Sequence, residues 1–160
     1  MDLRLVPVRM PADSNVVIGQ SHFIKTVEDL YEALVTGVPQ GRFGLAFNEA
    51  SGPCLVRVEG NDEELRSAAT QTALALGAGH VFVVFLRNAY PINVLNRIKG
   101  CQEVCRVFCA TANPLQVVVA VSEQGRGVLG VIDGSVPAGV EQEADRQNRQ
   151  QFLRTIGYKL

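Results

Sequence analysis

Apolar residues fall in short blocks separated by polar or glycine-rich punctuation, and the blocks change period along the chain. "LRLVPV" (3–8) and "NVVIGQ" (15–20) read as strands divided by the turn-like "MPADS". "TVEDLYEALVTG" (26–37) has the helical period, with Val27, Leu30, Tyr31 and Leu34 on one stripe. Thr26 suits its N-cap, with Asp29 at N3, and Gly37 and Pro39 end it. "RFGLAFNEA" (42–50) and "CLVRVEG" (54–60) read as strands joined at Ser51-Gly52-Pro53. A second helix is expected from Asn61, with Asn61 and Glu64 as a capping box. Its core face is Leu65, Ala68, Ala69, Thr72, Ala73 and Leu76, and Gly77 stops it.

The run "VFVVFL" (81–86) is apolar at every position, and Pro91 then suits the first turn of a helix over 91–100. Strands at 104–109 and 115–122 flank the loop "ATANP" (110–114). "GRGVLGVIDG" (125–134) reads as a glycine-rich turn leading into a strand. A polar surface helix is expected over 141–156. Strands apolar throughout are covered on both faces. The expected fold is α/β or α+β: one three-layer domain over 1–160, a mixed β-sheet flanked by helices.

Bulk properties narrow the function classes. The chain has 160 residues, 47% hydrophobic and 19% charged, with a formal net charge of −1. That is enough for one compact core. No basic field exists to draw nucleic acid, and no polybasic run suits an anionic membrane. No apolar run spans a bilayer. The opening "MDLRLVPVRM" lacks a signal-peptide layout, so a cytoplasmic location is the default expectation. Cys101, Cys105 and Cys109 recur every fourth residue, but on a strand such sulfurs stand about 13 Å apart and cannot share one zinc. With Cys54, they are expected to be reduced and mostly buried thiols. Small apolar-rich domains of this kind tend to self-associate, and a homo-oligomer is expected.

Several strings hold candidate chemistry, each with two readings. "GRGVLG" (125–130) matches G-x-G-x-x-G, but a strand follows it where a dinucleotide site needs a helix, so the Rossmann reading fails. What remains is a hairpin turn, or Arg126 between Gly125 and Gly127 aimed at an anion. "GAGH" (77–80) follows a helix and precedes a strand, so it is not a P-loop. Its His80 is either satisfied by a backbone carbonyl or acts as a nucleophile or general base, since imidazole can carry a phosphoryl group. His22 in "SHFIK" suits the surface. Glu49 in "FNEASG" is a turn carboxylate, or it orients a histidine or holds a ribose hydroxyl. Asn113, beside Thr111 in "ATANP", is a turn former, or its amide reads an adenine edge. Asp133 before Gly134 is a turn former, or a metal or hydroxyl ligand.

Taken in order, the strings "FGLAFNEASG" (43–52), "GNDEEL" (60–65), "LGAGHVFVVF" (76–85), "YPINVLNRIKG" (90–100), "EVCRVFCATANP" (103–114), "GRGVLGVIDG" (125–134) and "IGYKL" (156–160) resemble the adenosine-specific kinases. The resemblance spans nearly the whole chain. It implies binding of adenosine and AMP in preference to ADP and ATP, and a phosphorylated histidine, for which His80 is the match. Neither the family nor this chain has a Walker loop or protein-kinase signatures.

Joined to the residues, the resemblance gives an expected mechanism. His80 accepts a phosphoryl group and passes it to an adenosine hydroxyl. Glu49 orients the ring or takes the hydroxyl proton. Arg126, the amides around Gly125 and Gly127, and Ser51 hold the phosphoryl oxygens. Asn113 holds the adenine. Mg²⁺ is the one cofactor such chemistry would call for, and Glu49 and Asp133 are its candidate ligands. Two rivals stay open: an adenosine or AMP sensor without turnover, and a structural oligomer subunit without a ligand.

Overall fold

The computed structural model describes residues 1–160. Along the chain run β1 (Asp2–Val8), β2 (Asn15–Ser21), α1 (Thr26–Gly37), β3 (Arg42–Asn48), β4 (Val56–Gly60), α2 (Glu63–Leu76), β5 (Val81–Arg87), α3 (Pro91–Gly100), β6 (Val104–Thr111), β7 (Leu115–Val121), β8 (Arg126–Asp133) and α4 (Glu143–Thr155). Each falls within a few residues of its predicted position. The class is α+β, within the expectation. The strands divide between two antiparallel sheets, ordered β4-β3-β5-β2-β6 and β1-β7-β8, where one mixed sheet was expected. An unbroken apolar run reports cover on both faces but says nothing about strand direction.

Residue alternation on β5 builds both cores. Val81, Val83 and Phe85 face α2 and the small sheet, joining Leu65, Ala69, Val117 and Val119. Phe82, Val84 and Leu86 face the opposite way, joining Leu30, Leu34, Val94 and Ile98 of α1 and α3. The layers are therefore α1 and α3, the five-stranded sheet, then α2 beside the small sheet. Each fully buried side chain of this size contributes roughly 1.5–3 kcal/mol. No helix is long and apolar enough to cross a membrane.

Tertiary partners reassign two predicted caps. α1 has no side-chain cap, because the Thr26 hydroxyl donates to the Phe23 carbonyl and meets the Ser21 hydroxyl. α2 is capped by Asp62, whose Oδ1 accepts from the Leu65 amide at 3.0 Å. Asn61, expected in that role, instead ties the Phe43 amide and the Gly41 carbonyl at 2.8 and 3.0 Å. Gly77 ends α2 in the left-handed region at φ 59°, as its position suggested. The close seat of α2 on β3 needs Gly44: a Cβ there would lie 2.1 Å from the Arg66 backbone nitrogen.

The cysteines are all free, but only Cys109 is buried, and burial pushes its thiol up to about 11. Cys54 and Cys105 are exposed and Cys101 is half-buried, so the mostly buried expectation is corrected. Cys101 ends α3 rather than lying on the strand, and Cys105 points outward from the edge strand β6. Glu103, just before β6, is 4% exposed. Burial first, and Asp29 next, hold its carboxyl above the ordinary range. Lys25, hydrogen-bonded to Asp29, stands 3.8 Å away and holds Asp29 low. This group fastens the start of α1 to the start of β6.

The Gly44→Ala substitution forces backbone against backbone and should cost about 3 kcal/mol. Urea unfolding followed by circular dichroism reads that loss directly.

Candidate functional site

α2 points its C-terminus at the ends of β3 and β5, and a helix leaves its last carbonyls without intrahelical partners. No basic residue lies in its last turn to meet them. Two side chains from distant segments do so. Asn48, closing β3, donates through Nδ2 to the carbonyls of Ala73 at 2.9 Å and Ala78 at 3.0 Å. Arg126, opening β8, donates through Nη1 to the carbonyl of Ala75 at 3.2 Å. Arg126 also bridges Ala78 through its backbone and lies over Gly77, where an added Cβ would be 3.2 Å from Nη1.

Beside Arg126 lies a cavity of about 410 Å³, in the size range of small-molecule sites. Ala50, Cys54, Gly77 and Gly79 line one side, Ser122 and the Gly125–Gly127 turn the other. A smaller recess of about 140 Å³ shares Cys54, Gly77 and Gly79 and reaches Asn48. Asn48 is 6% exposed, and its Oδ1 is buried without a hydrogen-bond partner. A further cavity of about 340 Å³ lies between α2 and β1, lined by Val6, Arg9, Gln71 and Thr72 among others. Neither lining holds a carboxylate, and the glycine-lined cavity is the stronger candidate because it presents the Arg126 guanidinium beside the Gly125 and Gly127 backbone.

His80 follows the lining residue Gly79, and its own side chain is not part of the cavity wall. Its backbone is fixed on both sides: the amide donates to the Asn48 carbonyl at 2.8 Å, and the carbonyl accepts from the Ser21 amide at 2.9 Å. It occupies the left-handed region at φ 61°, a conformation that holds only where the surroundings over-determine it. The ring is half-buried and lies nearly parallel to the buried Phe47 ring, centroids 5.8 Å apart.

The expected partners of His80 are differently engaged. Glu49 accepts at Oε2 from the Leu55 amide and at Oε1 from Arg57 Nη2, both at 2.7 Å. The Leu55 amide first, and Arg57 next, hold its carboxyl below the usual range. Glu49 therefore braces the loop that walls the cavity and has no hydrogen bond to His80. Ser51 is exposed in the turn of that loop, and its carbonyl accepts from the Cys54 amide at 3.3 Å.

Asn113 and Asp133 lie elsewhere. Asp133 Oδ1 accepts from the Thr111 hydroxyl at 2.7 Å and from Asn113 Nδ2 at 3.1 Å. The Asn113 amide donates to Thr111 Oγ1 at 3.0 Å. This triad fastens the far end of β8 to β6, separated from Arg126 by the length of β8, about 23 Å. One chain cannot present these two groups to the same nucleoside. No three His, Cys, Asp or Glu side chains converge to hold a metal ion.

Of the residues singled out in the sequence, Arg126 and its two glycines line this cavity and His80 follows its lining residue Gly79, while Asn48 and Cys54 were not singled out. Asn48 had one visible signal: it is the sole polar side chain at the inner end of an apolar strand. Cys54 had none, because its φ of 51° and its place in the wall follow from the turn.

The family model described as adenosine specific kinase matches residues 6–159. No curated protein matches at a significant level. Among solved structures, the crystal structure of the PH1918 protein from Pyrococcus horikoshii OT3 is similar, at 45% identity and a TM-score of 0.96. The match covers 99% of this chain and 98% of that one.

A carboxylate held low stabilises its surroundings above the ordinary carboxylate range, and that contribution is lost as pH falls through the lowered value. Glu49→Gln should therefore speed hydrogen exchange at the Leu55 amide at neutral pH. The difference from the parent should close in strong acid.

Proposed function

The chain belongs to the adenosine-specific kinase family, and from that premise we propose that the glycine-lined cavity, with the smaller recess at Asn48, takes adenosine or AMP, and that His80, next in sequence to Gly79 of the wall, is the phosphoryl carrier. Asn48 carries the binding reading. A buried acceptor left without a donor costs about 1–3 kcal/mol, and an adenine amino group is a donor that removes the cost. At the other end, Arg126 uses one N–H on Ala75 and keeps the rest of its planar fork for a phosphate. The amides of Gly125 and Gly127 lie beside it on the same wall. In this reading Asn48 takes the adenine-reading role that the sequence suggested for Asn113.

The transfer uses His80 in two steps. An imidazole nitrogen bonds the phosphorus of a phosphoryl donor as the donor's P–O bond breaks. The 5′-hydroxyl oxygen of adenosine then bonds phosphorus, the P–N bond breaks, and the hydroxyl proton returns to the imidazole. Arg126 offsets charge on the equatorial oxygens throughout. Glu49 acts indirectly, by keeping the wall at residues 49–55 in place.

One observation favours a second reading, an adenosine or AMP sensor without turnover. Glu49 is spent on Leu55 and Arg57, so no carboxylate orients the His80 ring.

Two measurements separate these. Incubation with phosphoryl-labelled nucleotides should leave an acid-labile label on the parent protein and none on His80→Gln, with adenosine binding retained. A label that survives in His80→Gln removes His80 as the carrier. Binding without label or AMP formation leaves the sensor. Calorimetric titration of Arg126→Ala should show AMP weakened by about tenfold or more, with adenosine nearly unchanged. Equal loss for both ligands would contradict the placement of phosphate at Arg126.

A further inference from the structure

The surroundings of the free thiols separate one from the rest. Cys109 is buried, and its thiol is pushed up to about 11. Cys101 is half-buried at the end of α3 and donates its S–H to the Arg97 carbonyl at 3.4 Å. Burial first, and Glu103 next, raise its thiol. Cys105 is exposed on the edge strand β6 and donates to the Glu103 carbonyl at 3.6 Å. Cys54 is exposed too, and it alone of the cysteines lines both the glycine-lined cavity and the recess beside it.

The wall fixes the backbone that carries this thiol. Leu55, the next residue, is tied to Glu49 twice: its amide donates to Oε2 at 2.7 Å, and its carbonyl accepts from the Glu49 amide at 3.1 Å. On the other side the Cys54 amide donates to the Ser51 carbonyl at 3.3 Å. Cys54 itself sits in the left-handed region at φ 51°, which a residue with a Cβ keeps only where its neighbours hold it. With the Cα held, a single torsion, χ1, sets where the sulfur lies along the wall.

The rest of the lining selects what can react there. Arg126 keeps most of its guanidinium free after its bond to Ala75, and no carboxylate lines either space to neutralise it. The recess that Cys54 shares with Asn48 holds the buried Asn48 Oδ1, an acceptor without a donor. A molecule that satisfies both groups brings an anionic group for Arg126 and an N–H for Asn48. Small peptide thiols that bear carboxylates have both, and their disulfides meet the Cys54 sulfur in the same space.

We propose that Cys54 is a modification site, where a mixed disulfide with a small anionic thiol places the added group inside the glycine-lined cavity. The Cys54 thiolate attacks one sulfur of the low-molecular-weight disulfide. A new S–S bond forms as the old one breaks, and the other half leaves as a thiolate that takes up a proton. The Cys54 proton goes to solvent. The Cys54 sulfur is oxidised and the departing sulfur reduced, so the disulfide is the only oxidant needed. Excess small thiol reverses the exchange. The effect on nucleoside binding rests on the function proposed above: the adduct and AMP need the same Arg126 and the same space, so each excludes the other.

Peptide mapping by mass spectrometry after incubation of the full chain with oxidised glutathione tests this. Limiting reagent should modify Cys54 ahead of Cys105, which is exposed but lines neither space. Dithiothreitol should remove the adduct. Uncharged hydroxyethyl disulfide supplies the comparison: Arg126→Ala should lower the ratio of the glutathione rate to the hydroxyethyl rate at Cys54 about tenfold. Cys105 modified first, or a ratio that Arg126→Ala leaves unchanged, overturns the proposal. AMP at about ten times its dissociation constant should slow the exchange about tenfold. Calorimetry should show AMP binding lost in the glutathionylated parent and regained with dithiothreitol. The same treatment should leave the AMP affinity of Cys54→Ser, whatever its value, where it was. An adduct at Cys54 that leaves AMP binding intact also overturns the proposal. A chain that binds neither adenosine nor AMP before treatment removes the nucleoside reading alone, and the rate ratio then decides the Cys54 site by itself.

Discussion

The whole arrangement depends on β5 being dry on both sides. Every residue from Val81 to Leu86 is buried, so the strand spends its side chains alternately on two cores. Its one polar residue, Arg87 at the far end, is engaged with Ala12 and Glu64, and the chemistry has to begin where the strand does. His80 is that beginning: its amide and carbonyl close the hydrogen-bond ladders to Asn48 and Ser21 before the side chains go inside. A residue held this way inherits the rigidity of the two most buried neighbours in the sheet, β3 and β2. Precision at a site follows from such support more than from the site's own contacts.

The C-terminus of α2 adds the second constraint. Its final carbonyls need donors, and the chain supplies them from Asn48 and Arg126, which come from segments far apart in the sequence. These two side chains are thus anchored by helix termination while parts of each stay free for other use. On Asn48 the free part is a buried oxygen; on Arg126 it is most of the guanidinium fork.

Period and punctuation made the elements legible, and two-sided cover of 81–86 was legible from its unbroken apolar run. Division into two sheets was not, because nothing in β1 or β7 marks them as belonging to a different ladder from β2. The two misplaced caps share one cause. Thr26 and Asn61 are good capping residues locally, but Ser21 and Phe43 lie within reach in space and claim them. Asn113 and Asp133 show the same limit at the level of function. An Asn-Pro turn and an Asp-Gly turn have the same composition whether they hold a ligand or close a hairpin, and here they close one on Thr111. Arg126 was recoverable because two flanking glycines left it few neighbours, whereas Asn48 stood beside the more conspicuous Glu49.

The sheet order carries a cost during synthesis. β1 pairs with β7, and β2 with β5 and β6, so neither of the first two strands has its partner when it leaves the ribosome. β2 stays unpaired until β5 is made, just past the middle of the chain, and β1 until β7, much later, and long-range antiparallel pairing of this kind forms slowly. The nascent protein therefore spends its most sticky interval early, and chaperone engagement would matter most before β5 emerges.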